Sequence, residues 1–577
     1  MTGAAVPPPS DIHVIPRKLA NHGGDAAILA WIRSLAPDLV GFTASMWNIQ
    51  RNLWLAERIR GRVPDARIMM GGPEIVDGAG ILASAHVDSF VIGEGEAAFV
   101  AALADLAAGR PLARLYRGDP PLDLALVPNP YIAGAVEREP EDPLHLETMR
   151  GCAHRCSYCH YARATPGLRF FPRGMLADIF PWARARGIPE IYLMDPSFTS
   201  VPGWEHTLGL IASLNTTAIP LHAEIRLESV TPARADLLQA AGIRSVEVGL
   251  QSTNGRALRA VRRAWQRDAF VRGAALLRER EITVRTGIIL GLPEDTPDGF
   301  SATVDFLVET GLAADMEVYP LAVLPGTALR AEAAGRGIRF MPWPPWEVLC
   351  TPTMSTEEIQ AAMLSVEERL GTEMFPPVLP RFQGDLGGFT GFMDLRGAGT
   401  AALDDPEHLA NSVTLLIDAG QVRQARALAG IGASLLSQSP HSLFQLVIAS
   451  DMPLPPADLE RAAEAFHFPA HYFNQANRLS GDPQGRFSVR MFRLASASSA
   501  RGLLAAGTTG EPCELIVRFD PSLLRDCGRL LADRPLLLVD DGAASEAAFA
   551  LAGIYRGCEQ RLLSSGLPVV PASPFAL

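Results

Sequence analysis

Short apolar segments alternate with amphipathic helical segments between residues 11 and 108, and this alternation restricts the fold more than any other feature of the sequence. The segments DLVGFTAS, ARIMMGG and SFVIGEG are apolar along their length, and DIHVIP before them is extended. Strands that are apolar on both faces need helices on both faces, as in a doubly wound parallel sheet. Residues 1–109 are therefore predicted to form a flavodoxin/Rossmann-like α/β domain. Four strands can be recognised, one fewer than such folds usually have, which suggests that the first strand is missing.

The alternation resumes with longer units after a proline-rich stretch. Seven prolines between residues 110 and 143 indicate a linker. Six strand–helix units follow in residues 144–353, a pattern that predicts a partial (β/α)6 TIM-like barrel whose ligands gather at the carboxyl ends of the strands. Residues 354–577 are predicted to form a helix-rich α+β cap domain, with strands at FQLVIAS, FSVRMFRLA, CELIVRF and LLLVD.

Charge and composition exclude several classes of protein. The chain has 577 residues, 63 acidic and 51 basic side chains, and a formal net charge of −12. Proteins that bind nucleic acid by neutralising phosphates are usually basic, so we expect no nucleic-acid partner. No apolar run reaches the roughly 18 residues that a membrane helix needs, and the first residues lack the apolar centre of a signal peptide. We therefore expect a cytoplasmic protein without a membrane span.

Three of the seven cysteines lie within eight residues, directly after the first strand of the predicted barrel. Cys152, Cys156 and Cys159 stand on one short loop, and a tight group of thiols in a chain without a secretion signal indicates a metal site. Three thiolates can each bind one iron of a [4Fe-4S] cluster, and the fourth iron then stays open to an external ligand. The alternative is a zinc site completed by His154 or His160.

The order of the motifs resembles the radical S-adenosylmethionine (SAM) superfamily. The segment CAHRCSYC matches the C-x3-C-x-aromatic-C motif of that family, and GIILGLPE and PLAVLPGT resemble its fifth and sixth strands. The resemblance implies that Cys152, Cys156 and Cys159 hold the cluster and that the methionyl group of SAM binds the open iron. It also implies cleavage of SAM to a 5′-deoxyadenosyl radical and an electron donor such as flavodoxin or ferredoxin.

Further residues are candidates for binding SAM. Tyr158 occupies the aromatic position of the motif, which the family places against the adenine; packing under the loop is the alternative. Glu224 and Arg226 are two residues apart on a predicted strand and so share one face. Charged groups that face a barrel interior need a partner or a ligand, so a structural salt-bridge network is the other interpretation of this pair. The complete set is Tyr158, Ser197, Glu224, Arg226, Gln251 and Gly291.

The first domain resembles the cobalamin-binding (B12-binding) domain that precedes the barrel in one subgroup of the superfamily. Three groups of small residues each follow a strand and so lie along the sheet edge where doubly wound folds bind ligands. No Gly-x-Gly-x-x-Gly opens a helix, which disfavours a dinucleotide. The residues implied for cobalamin are Thr43, Ala44, Ser45, Met46, Trp47, Gly71, Gly72, Pro73, Glu74, Gly93, Glu94 and Gly95.

Two departures from the pattern of this subgroup leave alternatives open. Pro16 replaces the glycine of the Asp-x-His-x-x-Gly motif, so we interpret His13 as structural. Met46 or Trp47 could then lie beneath the cobalt, or could pack at the start of a helix. With a strand missing upstream, the domain either builds its pocket from fewer elements or is a remnant without a cofactor.

Together the resemblances imply a cobalamin-dependent radical SAM C-methyltransferase that acts on an unactivated carbon of a small-molecule or peptide natural-product intermediate. Glu247, Tyr319 and Asp195 are the acid/base candidates in the barrel. Three alternatives remain. The same cofactors could catalyse a rearrangement or cyclisation without net methyl transfer, the first domain could be only a scaffold, or the chain could be a non-enzymatic cluster or zinc protein.

Overall fold

Two compact units make up the part of the chain that the computed structural model describes. The first unit contains residues 41–49 and 67–374, and the second contains residues 11–40, 50–66 and the chain from 375 onward. The predicted domain boundaries at 109, 143 and 353 stay predictions. The described residues are 11–118, 120–161, 167–371, 374, 379–382, 384–396, 405–469, 471–472, 490–496, 514–518, 536–539 and 562–564.

The first sheet has four strands, of which three coincide with predicted ones. Residues 11–16, predicted to be extended, have no regular secondary structure; Pro16, which lacks an amide donor, directly precedes a helix there. The fourth strand instead comes from the segment predicted as a linker, and it pairs in parallel with its neighbour. In sheet order, the strands are β1 (Leu39–Thr43), β2 (Arg67–Gly71), β3 (Ser89–Ile92) and β4 (Leu115–Arg117).

Four helices accompany these strands along the chain, and three of them follow the predicted amphipathic segments. Helix α2 buries Ile28, Leu29 and Ile32, whose spacing places them on one face. By their contacts, α1, α2 and residues 50–62 of α3 belong to the second unit. The helices are α1 (Arg17–His22), α2 (Asp25–Leu35), α3 (Ile49–Arg62) and α4 (Gly95–Ala107).

A six-stranded, wholly parallel sheet confirms the predicted partial barrel. On its longest strand, Val246, Val248 and Leu250 are buried on one face, and Glu247 and Gln251 lie on the other, as the two-residue period requires. A two-stranded hairpin, β6 (Met149–Arg150) and β7 (Arg169–Phe170), follows the first strand. The barrel strands are β5 (Leu144–Leu146), β8 (Ile191–Leu193), β9 (Leu221–Glu224), β10 (Ile243–Gln251), β11 (Thr283–Leu290) and β12 (Met316–Pro320).

Helices alternate with the barrel strands, and Thr231 and Thr296 cap two of them by accepting a hydrogen bond from a backbone amide of the first turn. A second small hairpin, β13 (Arg339–Phe340) and β14 (Val348–Cys350), follows the barrel. The helices are α5 (Gly174–Ala185), α6 (Trp204–Leu214), α7 (Pro232–Ala241), α8 (Gly255–Ala260), α9 (Arg267–Arg278), α10 (Pro297–Glu309), α11 (Ala328–Glu332) and α12 (Thr356–Leu370).

The second unit contains a sheet of eight described strands, where the sequence predicts a helix-rich α+β domain. All neighbours from the second strand onward pair in parallel. Two adjacent strands, Leu409–Asp418 and Leu443–Ala449, are buried along most of their length and so need cover on both faces, as is usual in parallel sheets. All four predicted strands are present. In sheet order the strands are β15 (Asp385–Leu386), β16 (Phe389–Asp394), β17 (Leu409–Asp418), β18 (Leu443–Ala449), β19 (Arg490–Ala495), β20 (Glu514–Arg518), β21 (Leu536–Val539) and β22 (Leu562–Ser564).

Three described helices accompany this sheet: α13 (Ala419–Arg423), α14 (Ala425–Gln438) and α15 (Pro456–Glu464). A buried apolar cluster joins them to the sheet, with Val422, Leu435 and Leu459 packed among residues of the central strands. Of the helices that the structure describes, none combines the length and apolarity required to cross a membrane.

Candidate functional site

The three cysteines lie on a loop that leaves β6 next to the carboxyl end of the first barrel strand. Arg150 ends β6, and Gly151 then turns the chain with a φ of +96°. A Cβ at Gly151 would overlap the carbonyl oxygen of Gly167, so only glycine fits this turn. None of the three thiols is in a disulfide; Cys156 is buried, and the other two are half-buried.

Backbone hydrogen bonds connect the cysteine loop to the residues after α8 and to α11. The Ser157 amide donates to the carbonyl of Val261 at 3.0 Å, and the Ser157 carbonyl accepts from the amide of Leu329 at 2.8 Å. The Nε2 atom of His154 lies 2.9 Å from the hydroxyl of Ser200. Because this ring nitrogen already has a hydrogen-bond partner, the geometry disfavours it as a zinc ligand.

Arg263 is a candidate that the sequence analysis missed. Its Nη1 atom lies 3.7 Å from the sulfur of Cys156, and its Nη2 atom donates to the carbonyl of Gly249. Its Nε atom is buried and has no hydrogen-bond partner among the described residues. A cation beside a thiol favours the thiolate, which is the form that binds iron. No local pattern marks this residue, because it is one of several arginines between positions 256 and 267.

These donors fit a [4Fe-4S] cluster with three protein ligands. Three thiols on one anchored loop, none of them in a disulfide, supply the ligands, and Arg263 supplies a compensating charge. Burial raises the pKa of the Cys152 thiol, so cluster binding has to drive the loss of its proton. Cys350, the other described cysteine, stands in β14, outside the loop.

Glu224, Glu247 and Arg285 form a row across three neighbouring barrel strands. In the register of the sheet, Glu247 lies opposite Glu224 on one side and opposite Arg285 on the other. Burial and the charge of Glu247 raise the pKa of Glu224, to which the amide of Ser197 donates. The row therefore holds two carboxylates and one guanidinium at the same level of the barrel.

Arg226 does not share a strand face with Glu224, and this part of the prediction is wrong. β9 ends at Glu224, because the amide of Arg226 donates to the hydroxyl of Thr199 at 3.0 Å and not to a neighbouring strand. The guanidinium of Arg226 instead forms an ion pair with Glu228 at 2.8 Å. This ion pair is compatible with the alternative interpretation, a structural salt bridge, and contact of Arg226 with SAM stays a prediction.

Three other predicted SAM contacts have left-handed backbone conformations at strand ends. The φ angles are +62° at Ser197, +72° at Gln251 and +85° at Gly291. A Cβ at Gly291 would lie 2.7 Å from a methyl group of Val348, so packing alone explains this glycine. Burial raises the pKa of Tyr158, which keeps its hydroxyl neutral. Contact of these residues with SAM stays a prediction.

Tyr319 and Glu247 are the two acid/base candidates that reach solvent. Tyr319 is 46% exposed, and its hydroxyl donates to Glu317 on the same strand. Burial and the charge of Glu247 raise the pKa of Glu317. The exposed Tyr319 hydroxyl and the exposed Glu247 carboxylate can therefore exchange protons with a ligand in the barrel.

Asp195, the third acid/base candidate, has a structural role in this geometry. Its carboxylate has no exposed surface and accepts hydrogen bonds from the amide of Thr148 at 2.7 Å, the Thr148 hydroxyl and the amide of Met149 at 3.0 Å. These bonds hold the chain where it turns from β5 towards the cysteine loop. Asp195 is therefore a positioning residue in this structure.

The pKa of Asp195 predicts how stability responds to pH. Burial raises this pKa to about 6 from an ordinary value of 3.8. The native state then binds a proton more tightly than the unfolded state, so the group makes stability fall as pH rises from about 4 to about 6. The stability advantage of the wild type over Asp195→Asn should shrink by roughly 3 kcal/mol over this window, measured by urea unfolding. If the free energies of unfolding of the two proteins changed in parallel with pH, the raised pKa of Asp195 would be contradicted.

The loops predicted to bind cobalamin are joined by backbone contacts. The Ala44 amide donates to the carbonyl of Gly71 at 2.6 Å, and the Glu74 amide donates to the carbonyl of Ala44 at 3.2 Å. A Cβ at Gly72, whose φ is +110°, would lie 2.6 Å from the carbonyl oxygen of Ala44. The absence of a side chain at Gly72 therefore lets the loops after β1 and β2 approach each other.

The same sheet edge also offers open surface that fits a bulky cofactor. Trp47 is 47% exposed and Thr43 is exposed, whereas Met46 is half-buried and Ser45 is buried. A Cβ at Gly95 would meet no atom within 4 Å. Small residues and an exposed ring at this edge are compatible with cobalamin.

Glu74 and Glu94, predicted as cofactor contacts, are engaged by residues of the barrel region. Glu74 accepts a hydrogen bond from the indole of Trp346 at 2.9 Å, and burial raises its pKa. Glu94 forms ion pairs with Arg150, at 3.0 Å, and with Arg169. Both carboxylates therefore bind protein groups in this structure.

Two family models match the chain. The Radical SAM superfamily model matches residues 146–307, and the B12 binding domain model matches residues 11–103. The chain thus contains a radical SAM domain within residues 146–307 and a B12-binding domain within residues 11–103. At the level of the domain families, the predicted class is confirmed, and so are the cofactors of those families: a [4Fe-4S] cluster, SAM and cobalamin.

Curated relatives are similar to part of the chain. The 2-(S-pantetheinyl)-carbapenam-3-carboxylate methyltransferase of Streptantibioticus cattleyicolor is 26% identical over 355 residues. The cobalamin-dependent radical SAM methyltransferase TokK of Streptomyces tokunonensis is 27% identical over 346 residues. Each alignment covers 53% of this chain and 50% of the relative, so the chain spans about half the length of these relatives.

Solved structures are similar in fold over about three fifths of the chain. The radical SAM methyltransferase TsrM from Kitasatospora setae, with cobalamin and a [4Fe-4S] cluster bound, is 19% identical, with a TM-score of 0.45 over 58% of this chain and 76% of that one. The cobalamin-dependent SAM radical enzyme OxsB in its apo form is 14% identical, with a TM-score of 0.48 over 60% of each chain.

Proposed function

We propose that this protein is a cytoplasmic, cobalamin-dependent radical SAM methyltransferase that methylates an unactivated carbon of a small-molecule or peptide natural-product intermediate. The observation that carries the proposal is the presence of both domain types in one chain, with three cysteines on the loop after the first barrel strand. The methyltransferases among the curated relatives support the same activity.

The residues of the chain would divide the work between two sites. When bound, SAM on the cluster supplies a 5′-deoxyadenosyl radical and cobalamin supplies a transferable methyl group. Cys152, Cys156 and Cys159 would hold the cluster, and Arg263 would balance its charge. Glu224, which lies at the carboxyl end of β9, would bind the polar groups of SAM.

The remaining candidates would act on substrate. Glu247 and Tyr319 reach solvent in the barrel, so they could position a substrate group or take a proton from it. The chain supplies no obvious substrate-specific motif, and the substrate class therefore rests on the relatives. An electron donor such as flavodoxin or ferredoxin would reduce the cluster.

The test uses SAM alone as the probe. The anaerobically reconstituted protein, with and without hydroxocobalamin, receives SAM and a strong reductant. We expect 5′-deoxyadenosine in both samples and S-adenosylhomocysteine only with cobalamin, because the second product forms only when SAM gives up its methyl group. Release of 5′-deoxyadenosine alone in both samples would overturn methyl transfer. It would favour a rearrangement or cyclisation if the protein retains cobalamin, and a scaffold role for the first domain if it does not.

A further inference from the structure

The cysteine loop is the loop of a hairpin whose two strands both present an arginine. β6 and β7 are antiparallel, and Arg150 lies directly opposite Arg169. The amide of Phe171 donates to the carbonyl of Thr148 at 3.0 Å and closes the base of this hairpin. Two cations directly opposite each other in an antiparallel pair repel, so the base needs a counter-charge.

One carboxylate bridges the two cations. One oxygen of Glu94 lies 3.0 Å from Nη1 of Arg150, and the other contacts Nη2 of Arg169. The three side chains are only 14% to 20% exposed, so solvent screens the ion pairs weakly. Arg150 also contacts Glu96 at 2.8 Å and Glu147 at 3.2 Å. Of these three carboxylates, Glu94 is the one that forms an ion pair with an arginine on each strand of the hairpin.

The backbone of Glu94 is itself fixed at the carboxyl end of β3. Glu94 precedes α4 directly, and Gly118 packs so closely on its backbone that a Cβ there would overlap the carbonyl oxygen of Glu94. The Gly118 amide also donates to the carbonyl of Ile92 at 3.0 Å. A residue held this firmly can transmit the position of its loop to the groups that it binds.

We propose that Glu94 is a positioning residue: it fastens the base of the hairpin that carries the three cysteines to the sheet-edge loop of the B12-binding domain. The Glu94–Arg150–Arg169 bridge thereby sets the position of the cluster loop relative to the cobalamin loops. This inference rests on the proposed function, because it assigns the bridge a part in placing two cofactors. The predicted contact between Glu94 and cobalamin stays a prediction.

The first experiment needs no cofactor and compares Glu94→Gln with a matched control. Asp77→Asn breaks the ion pair between Asp77 and Arg117. These two side chains are 63% and 48% exposed, respectively. Hydrogen exchange of the full chain is followed at residues 148–151 and 169–171. Loss of a poorly screened ion pair should speed exchange there about tenfold or more, equivalent to about 1.4 kcal/mol, and leave β9 to β11 unchanged. Asp77→Asn should change neither segment.

The second experiment tests positioning in the loaded protein. Pulsed electron paramagnetic resonance measures the distance between the reduced cluster and cob(II)alamin. We expect Glu94→Gln to broaden or shift this distance distribution, Glu94→Asp to restore it in part, and Asp77→Asn to leave it as in the wild type. If Glu94→Gln fails to fold, Arg169→Gln breaks the same bridge from the other side.

The outcomes separate the inference from the proposed function. Wild-type exchange rates at the hairpin base in Glu94→Gln would overturn the bridge, and so would faster exchange throughout the first unit, which indicates general destabilisation. An unchanged distance distribution would overturn positioning. Failure of the wild-type protein to retain cobalamin would instead count against the proposed function, while local loosening in the exchange experiment would still establish the bridge.

Discussion

Replacing any one of Cys152, Cys156 or Cys159 with serine is expected to abolish the cluster and, with it, the cleavage of SAM. Each thiolate would bind a different iron of a three-ligand site, so the two remaining thiolates cannot replace the lost one. Release of 5′-deoxyadenosine should fall by at least about 100-fold, because even residues that merely support a metal ligand contribute about 10- to 100-fold. Iron and sulfide content after anaerobic reconstitution is the primary measurement.

Cys350→Ser provides the matched control for this prediction. Cys350 is also a free, half-buried thiol in the first unit, but it stands in β14, away from the loop. The control should keep the iron content and the paramagnetic signal of the wild type after reduction. Retention of full iron content in one of the three loop variants would contradict the assignment. Stoichiometric zinc in the anaerobically prepared wild type would restore the zinc alternative.

The parts of the fold that could be predicted are those in which burial acts on whole segments. Three strands of the first sheet are largely apolar, and the barrel strands alternate regularly with helical segments; both patterns are visible in a single sequence. The second unit contains all four strands predicted for it, and the order of the strands in its sheet follows their order along the chain. β4 (Leu115–Arg117) was missed because it lies in a proline-rich stretch without the alternation of strands and helices.

In the candidate site, only residues that belong to a local sequence motif could be predicted reliably. The cysteine motif is local, so its residues could be found from their spacing alone. Arg263 and Arg169 act through partners distant in the sequence, and an arginine on a loop has no periodicity to reveal it. The shared strand face predicted for Glu224 and Arg226 was wrong because the strand was assumed to continue two residues beyond its end. Asp195 was visible as a candidate, but its burial and three hydrogen bonds were not.

Asp25→Asn should be among the most destabilising conservative substitutions in the second unit. Asp25 is fully buried at the start of α2, where one oxygen accepts from Nε of Arg51 at 2.5 Å and the other from the amide of His441 at 2.8 Å. The carboxylate therefore joins two N-terminal helices to the loop before β18. An asparagine would leave Arg51 as an uncompensated, mostly buried cation, at a cost of about 3–5 kcal/mol.

Thermal and urea unfolding measure this effect, with Glu407→Gln as the control. Glu407 also pairs with a residue of α2, Arg33 at 3.0 Å, but these side chains are 47% and 56% exposed. Loss of such an exposed pair costs at most about 1 kcal/mol. The melting temperature should fall by roughly 10 °C for Asp25→Asn and by a few degrees at most for Glu407→Gln. If the two substitutions lowered the melting temperature equally, burial would not be what makes the Asp25–Arg51 ion pair stabilising.

Acid unfolding provides a second test of the same carboxylate. Burial alone would raise the pKa of Asp25, but Arg51 and His441 hold it well below its ordinary value of 3.8. A carboxyl whose native pKa is depressed stabilises the protein above its unfolded pKa, and this stability is lost as pH falls below about 4. The wild type should therefore lose its advantage over Asp25→Asn as pH falls below that value. An advantage that stays constant down to about pH 2 would mean that the charge on Asp25 contributes nothing, and the packing of its neighbours would then have to hold the N-terminal helices on the second sheet.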